Sequence, residues 1–423
     1  MPNWPQVDLQ RQSVTADSWG RYYTSSLISS TLVCAMSKIR PRLVIELGAG
    51  RGALASAAAL KWSRARYVTV DTDNSSKTVV NGLKSQTKHI HHVHDALDSA
   101  LAERIGLEAG SVDIGLCNPP YVRPRWKTSF GHILEDAGLS GALRSVHDAG
   151  ADILFIAQNL RLLKRRGKLG LIIPDGLITA EKYRGVRSIL LRDHLVEQVV
   201  QLPRQAFSQT EAQTYLLVLS KHGGHTQSVA LRQMNTDGTL SAPINVPADQ
   251  AQYRLDYNFH AVTQNHYLNA TSSKLRVPVS EVVHTIFRGS LNSKQLSTFS
   301  RPVFHLGDFA QCPQEIVPIV PARFIQPRPL AAHAYGSVRM AEAGDILIAR
   351  IGRNLEKKVC LLERGSCVIS GCIFVLRTER AHRHELLAYL LSAEGQQAVA
   401  AASHGVGAKY LSRADILHLS MPS

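Results

Sequence analysis

Asn118, Pro119, Pro120 and Tyr121 follow directly after an apolar run, residues 112–117 (Val-Asp-Ile-Gly-Leu-Cys). This run predicts a buried strand that ends at a break imposed by the prolines. The Asn118 side chain has a carbonyl acceptor and an amide donor, and Pro119 can present its carbonyl at a fixed backbone angle. Tyr121 offers a flat face on which a planar ring can stack. Together these groups suit a flat substrate that carries an amino group.

Polar residues also follow the three predicted strands that come earlier in the chain. Residues 46–52 (Glu-Leu-Gly-Ala-Gly-Arg-Gly) form a glycine-rich turn between a strand and a helix, where the backbone can approach a ligand closely. A phosphate-binding P-loop is disfavoured because no Lys-Ser/Thr follows. Asp71 could hold two ribose hydroxyls, and Asp95 could accept from an adenine amino group. A helix N-cap is the alternative role for each aspartate. NAD would satisfy the first two sites without explaining Asn118.

The elements that position these residues read as alternating strands and helices, which is typical of βαβ units and a mostly parallel sheet. We therefore predict an α/β fold whose last two strands form a hairpin at one edge of the sheet. The predicted strands are 43–47, 67–70, 90–94, 112–117, 169–173, 196–202 and 214–219, and the predicted helices are 53–62 and 181–192.

The pattern changes after about residue 223, where turn-rich segments lead to an apparent connector at 242–249. Beyond it we predict strands at 345–350 and 372–377 and helices at 385–391 and 396–402, which is a mixed α+β arrangement. The sequence thus predicts two domains, 1–245 and 246–423.

The composition is that of a globular protein with an excess of positive charge. The chain has 423 residues, with 48 Lys and Arg against 33 Asp and Glu, giving a net charge of +15. Such an excess favours a polyanionic partner such as nucleic acid. The six cysteines form no CxxC pair, and we find neither a signal peptide nor an apolar run of membrane-spanning length. We expect a cytoplasmic location and no membrane partner.

In their order and spacing these motifs resemble the S-adenosylmethionine-dependent DNA methyltransferases that modify adenine at N6. Asn118–Tyr121 is identical to the catalytic tetrad of that family, and residues 46–52 are similar to its glycine-rich motif. Residues 20–26 (Gly-Arg-Tyr-Tyr-Thr-Ser-Ser) resemble its N-terminal cofactor segment, with Ser25 where proline is common. Residues 162–176 and 201–208 resemble the modification subunits of type I restriction systems and the fused type IIG enzymes.

The resemblance implies a Rossmann-like methyltransferase sheet, S-adenosylmethionine as cofactor and a flipped adenine as substrate. Its catalytic residues would be Asn118, Pro119, Tyr121 and Phe207, and its cofactor residues Thr24, Glu46, Gly48, Gly50, Asp71 and Asp95. The Asn118 oxygen and the Pro119 carbonyl would each accept one amino hydrogen of adenine. Tyr121 would stack on the base, with Phe207 as a second aromatic. An ordinary core position is the alternative role for Phe207.

The second domain resembles the target recognition domains of type I specificity subunits. Residues 344–352, 372–377, 405–412 and 416–422 follow the usual order of that domain, and residues 253–257 (Tyr-Arg-Leu-Asp-Tyr) resemble its opening segment in fused enzymes. A dimerisation or accessory domain is the alternative. The candidate DNA contacts, each of which could instead be a solvated charge, are Arg123, Arg125, Lys127, Arg350, Arg353, Lys357, Lys358 and Lys409.

Double-stranded DNA is therefore the expected partner, in a restriction-modification or related defence system. We find no nuclease motif, so we expect any DNA-cutting activity to lie on another chain. The string His89-Ile-His-His-Val-His94 has no accompanying Cys or Glu cluster, and we expect no metal site. Methylation of RNA adenine or of a release-factor glutamine, and a non-catalytic DNA-binding module, are the rival functions.

Overall fold

The chain divides into two compact units. The computed structural model describes residues 24–36, 39–73, 89–204, 206–207, 212–268, 276–297, 299, 301–312, 317–326, 338–405 and 408–422. Unit 1 comprises Met1–Ile173 and Gln205–Thr210, and unit 2 comprises Pro174–Arg204 and Glu211–Ser423. This division by compactness differs from the domain boundary near residue 245, which stays a prediction about function. Our expectations for residues 20–23, 205, 208, 406 and 407 lie outside the described residues.

Five parallel strands form the framework of unit 1, in the order β3-β2-β1-β4-β5. Chain order and sheet order diverge between β1 and β4, and in an open α/β sheet ligands bind at such a switch point, outside the carboxyl ends of the strands. The expected α/β class is confirmed. The strands are β1 (Leu43–Leu47), β2 (Arg66–Asp71), β3 (His89–Val93), β4 (Val112–Cys117) and β5 (Leu163–Pro174).

The fifth strand begins at Leu163, before the predicted start at residue 169. The predicted strand began after this basic stretch, where the backbone is irregular, since Arg166 has a φ of +62°. A Cβ on Gly167 would lie 3.0 Å from the Val112 carbonyl oxygen, so glycine lets β5 pass close to β4. The register between the two strands shifts beside this point, between Val112 and Ile114.

Among the described helices of unit 1, the sequence analysis predicted one, at residues 53–62, and missed four, including the helix at residues 151–162. This helix, α5, is buried along nearly its whole length and packs close to β4, because a Cβ on Gly115 would lie 2.7 Å from the Asn159 Oδ1. The Ser25 side chain caps the first helix by accepting from the Ile28 N–H at 3.4 Å. The helices are α1 (Ser26–Ala35), α2 (Ala53–Lys61), α3 (Leu101–Arg104), α4 (Ser129–Asp136) and α5 (Ala151–Leu162).

Unit 2 begins with a four-stranded arrangement in the order β7-β6-β8-β9. The antiparallel pairing of β6 with β7 was expected, but the edge position was wrong, because β6 also pairs in parallel with β8, and β8 with β9. The last two strands are short and lie among turn residues, which is why 242–249 looked like a connector. The strands are β6 (Leu195–Gln201), β7 (Thr214–Ser220), β8 (Ser228–Gln233) and β9 (Ile244–Pro247), and the helices are α6 (Asp175–Thr179), α7 (Arg184–Asp193) and α8 (Ala248–Ala251).

The remainder of unit 2 is the expected mixture of short strands and helices around a core of its own. Four strands form a sheet in the order β11-β18-β14-β16, three form a second in the order β12-β17-β13, and β10-β20 and β15-β19 form pairs. The strands are β10 (Arg276–Pro278), β11 (Val283–Arg288), β12 (Ile325–Gln326), β13 (Met340–Glu342), β14 (Ile346–Ala349), β15 (Ile351–Gly352), β16 (Val359–Leu361), β17 (Ser366–Val368), β18 (Ile373–Thr378), β19 (Lys409–Tyr410) and β20 (Ser420–Pro422). The helices are α9 (Tyr257–Leu268), α10 (Val279–Val282), α11 (Ser293–Leu296), α12 (Arg380–Leu391), α13 (Ala393–Ala402) and α14 (Arg413–Leu417).

A buried polar network ties the segment 253–257 to the C-terminal elements of unit 2. The Arg254 guanidinium donates to both carboxylate oxygens of Asp256, at 2.7 and 3.1 Å, and lies 3.5 Å from Asp415. The His404 ring bridges the Asp415 carboxylate at 2.9 Å and the Thr179 hydroxyl at 2.8 Å. Because each buried charge has a partner, the network fixes this segment without leaving an isolated ion.

Within the described ranges, no helix has the length and apolar character that crossing a membrane requires.

Candidate active site

The polar residues singled out in the sequence meet at one edge of the unit 1 sheet. Leu47 pairs with Val70 on one side and with Cys117 on the other, and Asp71 pairs with Val93. The carboxyl ends of β3, β2, β1 and β4 therefore lie side by side. The residues that follow these four ends are Asp95, Asp71, the glycine-rich turn and Asn118.

The glycine-rich turn after β1 has a backbone that other residues adopt only with strain. Gly48, Gly50 and Gly52 have φ angles of +69°, +51° and +70°. The turn is held to β2, since the Gly48 N–H donates to the Val70 carbonyl at 2.9 Å and the Gly50 N–H to the Asp71 Oδ2 at 2.7 Å. The second Asp71 oxygen, Oδ1, accepts from the Asp73 N–H at 2.8 Å. These bonds fix the Asp71 carboxylate, which is only 6% exposed, in one orientation.

Glu46 is a buried carboxyl group at the end of β1. Its Oε2 accepts from the Ala55 N–H at 2.7 Å, at the start of α2. Burial raises the pKa of Glu46 to about 8, against the lowering effect of this backbone bond, and the nearby Asp71 adds to the rise. At neutral pH the group is therefore mostly protonated, and it adds little negative charge to the turn.

The Asp95 carboxylate forms an ion pair with Lys127. The two atoms involved, Asp95 Oδ2 and Lys127 Nζ, lie 3.0 Å apart, and the Asp95 Oδ1 accepts from the Leu97 N–H at 2.9 Å. Both side chains are about half exposed. Lys127, a predicted DNA contact, thus lies beside the predicted adenine acceptor, on the loop that follows Tyr121.

Two hydroxyl groups hold the Asn118 amide. Its Nδ2 donates to the Thr24 Oγ1 at 3.1 Å, and its Oδ1 accepts from the Tyr121 hydroxyl at 3.2 Å. The structure thereby connects the predicted N-terminal cofactor segment with the tetrad after β4. Pro119 is buried, whereas Asn118 and Tyr121 are partly exposed.

A cavity of about 750 Å³ opens beside these strand ends. Its lining includes all six predicted cofactor residues together with Asn118, Pro120, Arg125 and Lys127. Two aromatic rings that the sequence analysis missed, Phe130 of α4 and Phe155 of α5, form part of the apolar wall. A Cβ on Gly48 would lie 3.3 Å from the Phe155 ring. The one sequence signal for the close packing of α5 was Gly115, a glycine inside the apolar strand 112–117.

Other potentially reactive groups on the strands of unit 1 are buried or hydrogen-bonded. Burial raises the pKa of the Cys117 thiol well above its usual range, and the Glu46 carboxyl adds to this rise, so Cys117 is not a thiolate nucleophile. His89 and His91 both contact the Thr69 hydroxyl at 2.9 Å. Among the residues that the structure describes, no group of three or more His, Cys, Asp or Glu side chains is arranged to hold a metal ion.

The remaining predicted residues of unit 1 lie in different settings. Phe207 is 3% exposed and is absent from the described lining of the cavity. The Arg123 guanidinium donates to the His147 carbonyl at 2.8 Å and lies 3.4 Å from the Asp148 carboxylate, which attaches it to the loop before α5. Arg125 is exposed at the rim of the cavity. DNA contact by these arginines remains a prediction.

The predicted basic residues of unit 2 fall into two places. Gly352 pairs with Lys409, and the Lys358 ammonium donates to the Arg353 carbonyl at 2.7 Å, so these residues lie near one another, with Lys357 exposed on the same loop. Arg350 precedes this loop, and its Nε donates to the Gly371 carbonyl at 3.1 Å.

The model of the N-6 DNA methylase family matches residues 9–241, which is more than half of the chain. The methylase subunit of the type I restriction enzyme MpnII from Mycoplasma pneumoniae (strain ATCC 29342 / M129 / Subtype 1) is 27% identical over 111 residues. That match covers 26% of this chain and 20% of the relative.

Among solved structures, the type IIG restriction endonuclease BpuSI is similar in fold. The match has a TM-score of 0.50 and 14% sequence identity, and it covers 96% of this chain and 59% of BpuSI. At this identity the likeness concerns the fold alone. This chain spans less than two thirds of the length of either protein.

Proposed function

The chain belongs to the N-6 DNA methylase family, and from this premise we propose that it transfers a methyl group from S-adenosylmethionine to the N6 amino group of adenine in DNA. The observation that carries the proposal is the Asn118 amide, which lies at the edge of a large cavity with its oxygen directed to Tyr121. An amide oxygen and an adjacent proline carbonyl form a pair of acceptors suited to an exocyclic amino group.

The residues around the cavity fit S-adenosylmethionine. The volume of about 750 Å³ lies in the range of small-molecule sites. A Cβ on Gly50 would meet no atom within 4 Å, so the backbone at this turn faces open space that a ligand can occupy. We assign Asp71 to the ribose hydroxyls, Asp95 to the adenine amino group and Thr24, Glu46 and Gly48 to the rest of the cofactor. The apolar wall with Phe130 and Phe155 suits the adenine ring.

The bound cofactor supplies an electrophilic methyl group on a sulfonium centre. The amino nitrogen of adenine is a poor nucleophile because its lone pair is delocalised into the ring. We assign one amino hydrogen to the Asn118 Oδ1 and the other to the Pro119 carbonyl, which together draw the nitrogen toward a tetrahedral shape. Thr24 orients the Asn118 amide for this role through its bond to Nδ2. Holding the two reactants in line can supply up to about 7–11 kcal/mol.

Adenine must leave the duplex to reach Asn118, which costs a few kcal/mol. We assign one face of the flipped base to Tyr121 and the other to Phe207. Neither Tyr121 nor Phe207 belongs to the described lining of the cavity, and Phe207 is 3% exposed, so its role requires the Phe207 ring to become exposed. A Tyr121→Ala variant that methylates as fast as the wild type would contradict the stacking role.

Sequence recognition is assigned to residues 246–423, as a target recognition domain, and the partner is double-stranded DNA of a restriction-modification system. A pocket that reads one base needs side chains elsewhere that reach the groove edges. The net charge of +15 supports a polyanionic partner. We place any nuclease of such a system on another chain.

The test is methyl transfer by Asn118→Ala, compared with Asn245→Ala, an exposed asparagine of β9. With labelled S-adenosylmethionine and duplex DNA of mixed sequence, we expect the wild type and Asn245→Ala to form N6-methyladenine. We expect Asn118→Ala to lose roughly 10²–10³-fold in turnover, as when a catalytic hydrogen-bonding partner is removed. Its DNA and cofactor affinities should be unchanged.

Substrate class is decided in the same assay by competing duplex DNA against single-stranded RNA and a release factor. Label that enters adenine of DNA supports the proposal. Label that enters RNA or a glutamine side chain, or full turnover by Asn118→Ala, would refute it.

A further inference from the structure

Three arginines converge on a concavity of about 540 Å³ in unit 2. Arg288, Arg339 and Arg350 line it together with Ser290, Asn292 and Cys372. We call this the arginine pocket. Of its three arginines, only Arg350 was singled out in the sequence, because the other two come from segments distant in the chain.

The four-stranded sheet brings two of these arginines to the same end of its strands. Strands β11 and β14 both run antiparallel to β18 and flank it, so their carboxyl ends lie beside its amino end. Arg288 is the last residue of β11 and pairs with Phe374, while Arg350 follows β14 and its N–H donates to the Cys372 carbonyl at 2.8 Å. Two strands separated by one neighbour are about 10 Å apart, a span that two arginine side chains can close around one anion.

Glycines and hydrogen bonds fix the segments that line the arginine pocket. A Cβ on Gly289 would lie 2.2 Å from the Ile369 carbonyl oxygen, so only glycine allows these two segments to approach. The Gly371 N–H donates to the Leu291 carbonyl at 2.8 Å. The Arg339 N–H donates to the Ser290 hydroxyl at 3.2 Å, which brings the third arginine to the rim. The arginine pocket is thus built from several bonded segments of one unit.

No described acid neutralises the arginine pocket. Its lining contains no carboxylate, and none of the ion pairs among described residues involves Arg288, Arg339 or Arg350. Burial lowers the pKa of Arg350, and repulsion from Arg288 lowers it further. Three guanidinium groups at one concave site therefore lack a counter-charge within the described part of the chain.

We propose that the arginine pocket binds a phosphate group of the DNA backbone. A phosphate presents charged oxygens on several sides, so several guanidinium groups can donate to it at once. A guanine edge is a poorer match, because it takes a single guanidinium in a bidentate pair. The inference rests on the proposed function for DNA as the source of the phosphate, and it assigns Arg288 and Arg339 to the DNA interface.

The test compares Arg288→Ala/Arg350→Ala with a charge-matched control, Arg364→Ala/Arg380→Ala, in the full chain. Arg364 follows β16 and Arg380 follows β18, so both lie at the opposite end of the strands of the same sheet. Both are exposed. Duplex affinity is measured by fluorescence anisotropy over a series of salt concentrations. We expect the pocket variant to bind roughly tenfold more weakly than the control. The slope of log affinity against log salt should fall by about 0.9 for one lost phosphate contact.

Arg288→Ala/Arg339→Ala keeps the test valid if removal of the half-buried Arg350 prevents folding, since Arg288 and Arg339 are both exposed. Loss of a phosphate contact weakens binding equally for all duplex sequences. Equal affinity and slope in pocket and control variants, or a loss confined to one duplex sequence, would overturn the inference. Binding of inorganic phosphate that depends on Arg288, with duplex affinity unchanged, would overturn DNA as the source. These readouts involve no methyl transfer, so their failure is distinguishable from failure of the proposed activity.

Discussion

At the residue scale, Glu46 carries a proton that an exposed carboxyl would lose. Burial raises its pKa to about 8, well above the value of an exposed carboxyl. A carboxyl whose pKa is raised by folding stabilises the folded state fully below its unfolded pKa, and this contribution is lost as the pH rises toward the folded pKa. The fold should therefore lose stability between about pH 4.5 and about pH 8 because of this one group.

We predict that Glu46→Gln flattens this pH dependence. Glutamine keeps an oxygen acceptor for the Ala55 N–H but cannot ionise. The measurement is the free energy of unfolding by denaturant at several pH values across that window, without cofactor. Glu135→Gln, an exposed carboxyl of α4, is the control and should follow the wild type. A Glu46→Gln profile as steep as that of the wild type would contradict the assignment.

Asp95 gives a second prediction at this scale. If its carboxylate accepts from the cofactor's amino group, Asp95→Ala should weaken S-adenosylmethionine binding roughly tenfold, as expected for a hydrogen bond to a charged group. Isothermal titration of the cofactor measures this directly. Asp136→Ala is a matched control, because Asp136 is also about half exposed and pairs with Arg161 at 2.9 Å, away from the cavity. Equal affinities in the two variants would contradict the cofactor role of Asp95.

At the scale of elements, the glycine-rich turn after β1 forms part of the cavity lining. Gly50 and Gly138 both have positive φ, at +51° and +71°, and a Cβ on either would meet no atom within 4 Å. Gly50→Ala and Gly138→Ala should therefore both cost about 1–2 kcal/mol of folding free energy through backbone strain. Only Gly50→Ala should also weaken cofactor binding, since only Gly50 lines the cavity. Thermal unfolding with and without S-adenosylmethionine separates the two effects.

The sequence predicted the strands of unit 1 because buried parallel strands are continuous apolar runs with polar residues after them. It did not predict α5, since a helix buried on all sides has no amphipathic period and residues 151–162 resemble an apolar strand. The same ambiguity hid Phe155. The ion pair between Asp95 and Lys127 depends on how a loop folds back, which residue spacing does not encode.

The sequence wrongly placed the hairpin of unit 2 at a sheet edge, because the strands beside it are hard to recognise. Strand β9 has only four residues, and its side chains alternate between partly buried, exposed, buried and exposed positions. A strand this short resembles a loop, and its pairing partner β8 is set by tertiary contacts. Phe207 shows a second limit of prediction from sequence. An aromatic residue in a polar segment is equally compatible with a stacking role and with a core role.

At the scale of the whole molecule, the family match and the fold agree with the resemblance that was drawn from residues 46–52 and 118–121. The match ends at residue 241, so the assignment of residues 246–423 to sequence recognition is a separate proposal, and the arginine pocket supports only DNA contact by this region. Methyl transfer and the recognition of a DNA sequence are therefore separate proposals, and they depend on different residues.

Single-molecule methylome sequencing tests both claims in one measurement. Unmethylated genomic DNA is incubated with the full chain and S-adenosylmethionine and then sequenced for modified bases. The account predicts N6-methyladenine within one recurring sequence context, and none after incubation with Asn118→Ala. Absence of N6-methyladenine, or modification of a base other than adenine, would contradict the central claim, whereas N6-methyladenine without any sequence context would contradict only the recognition role of residues 246–423.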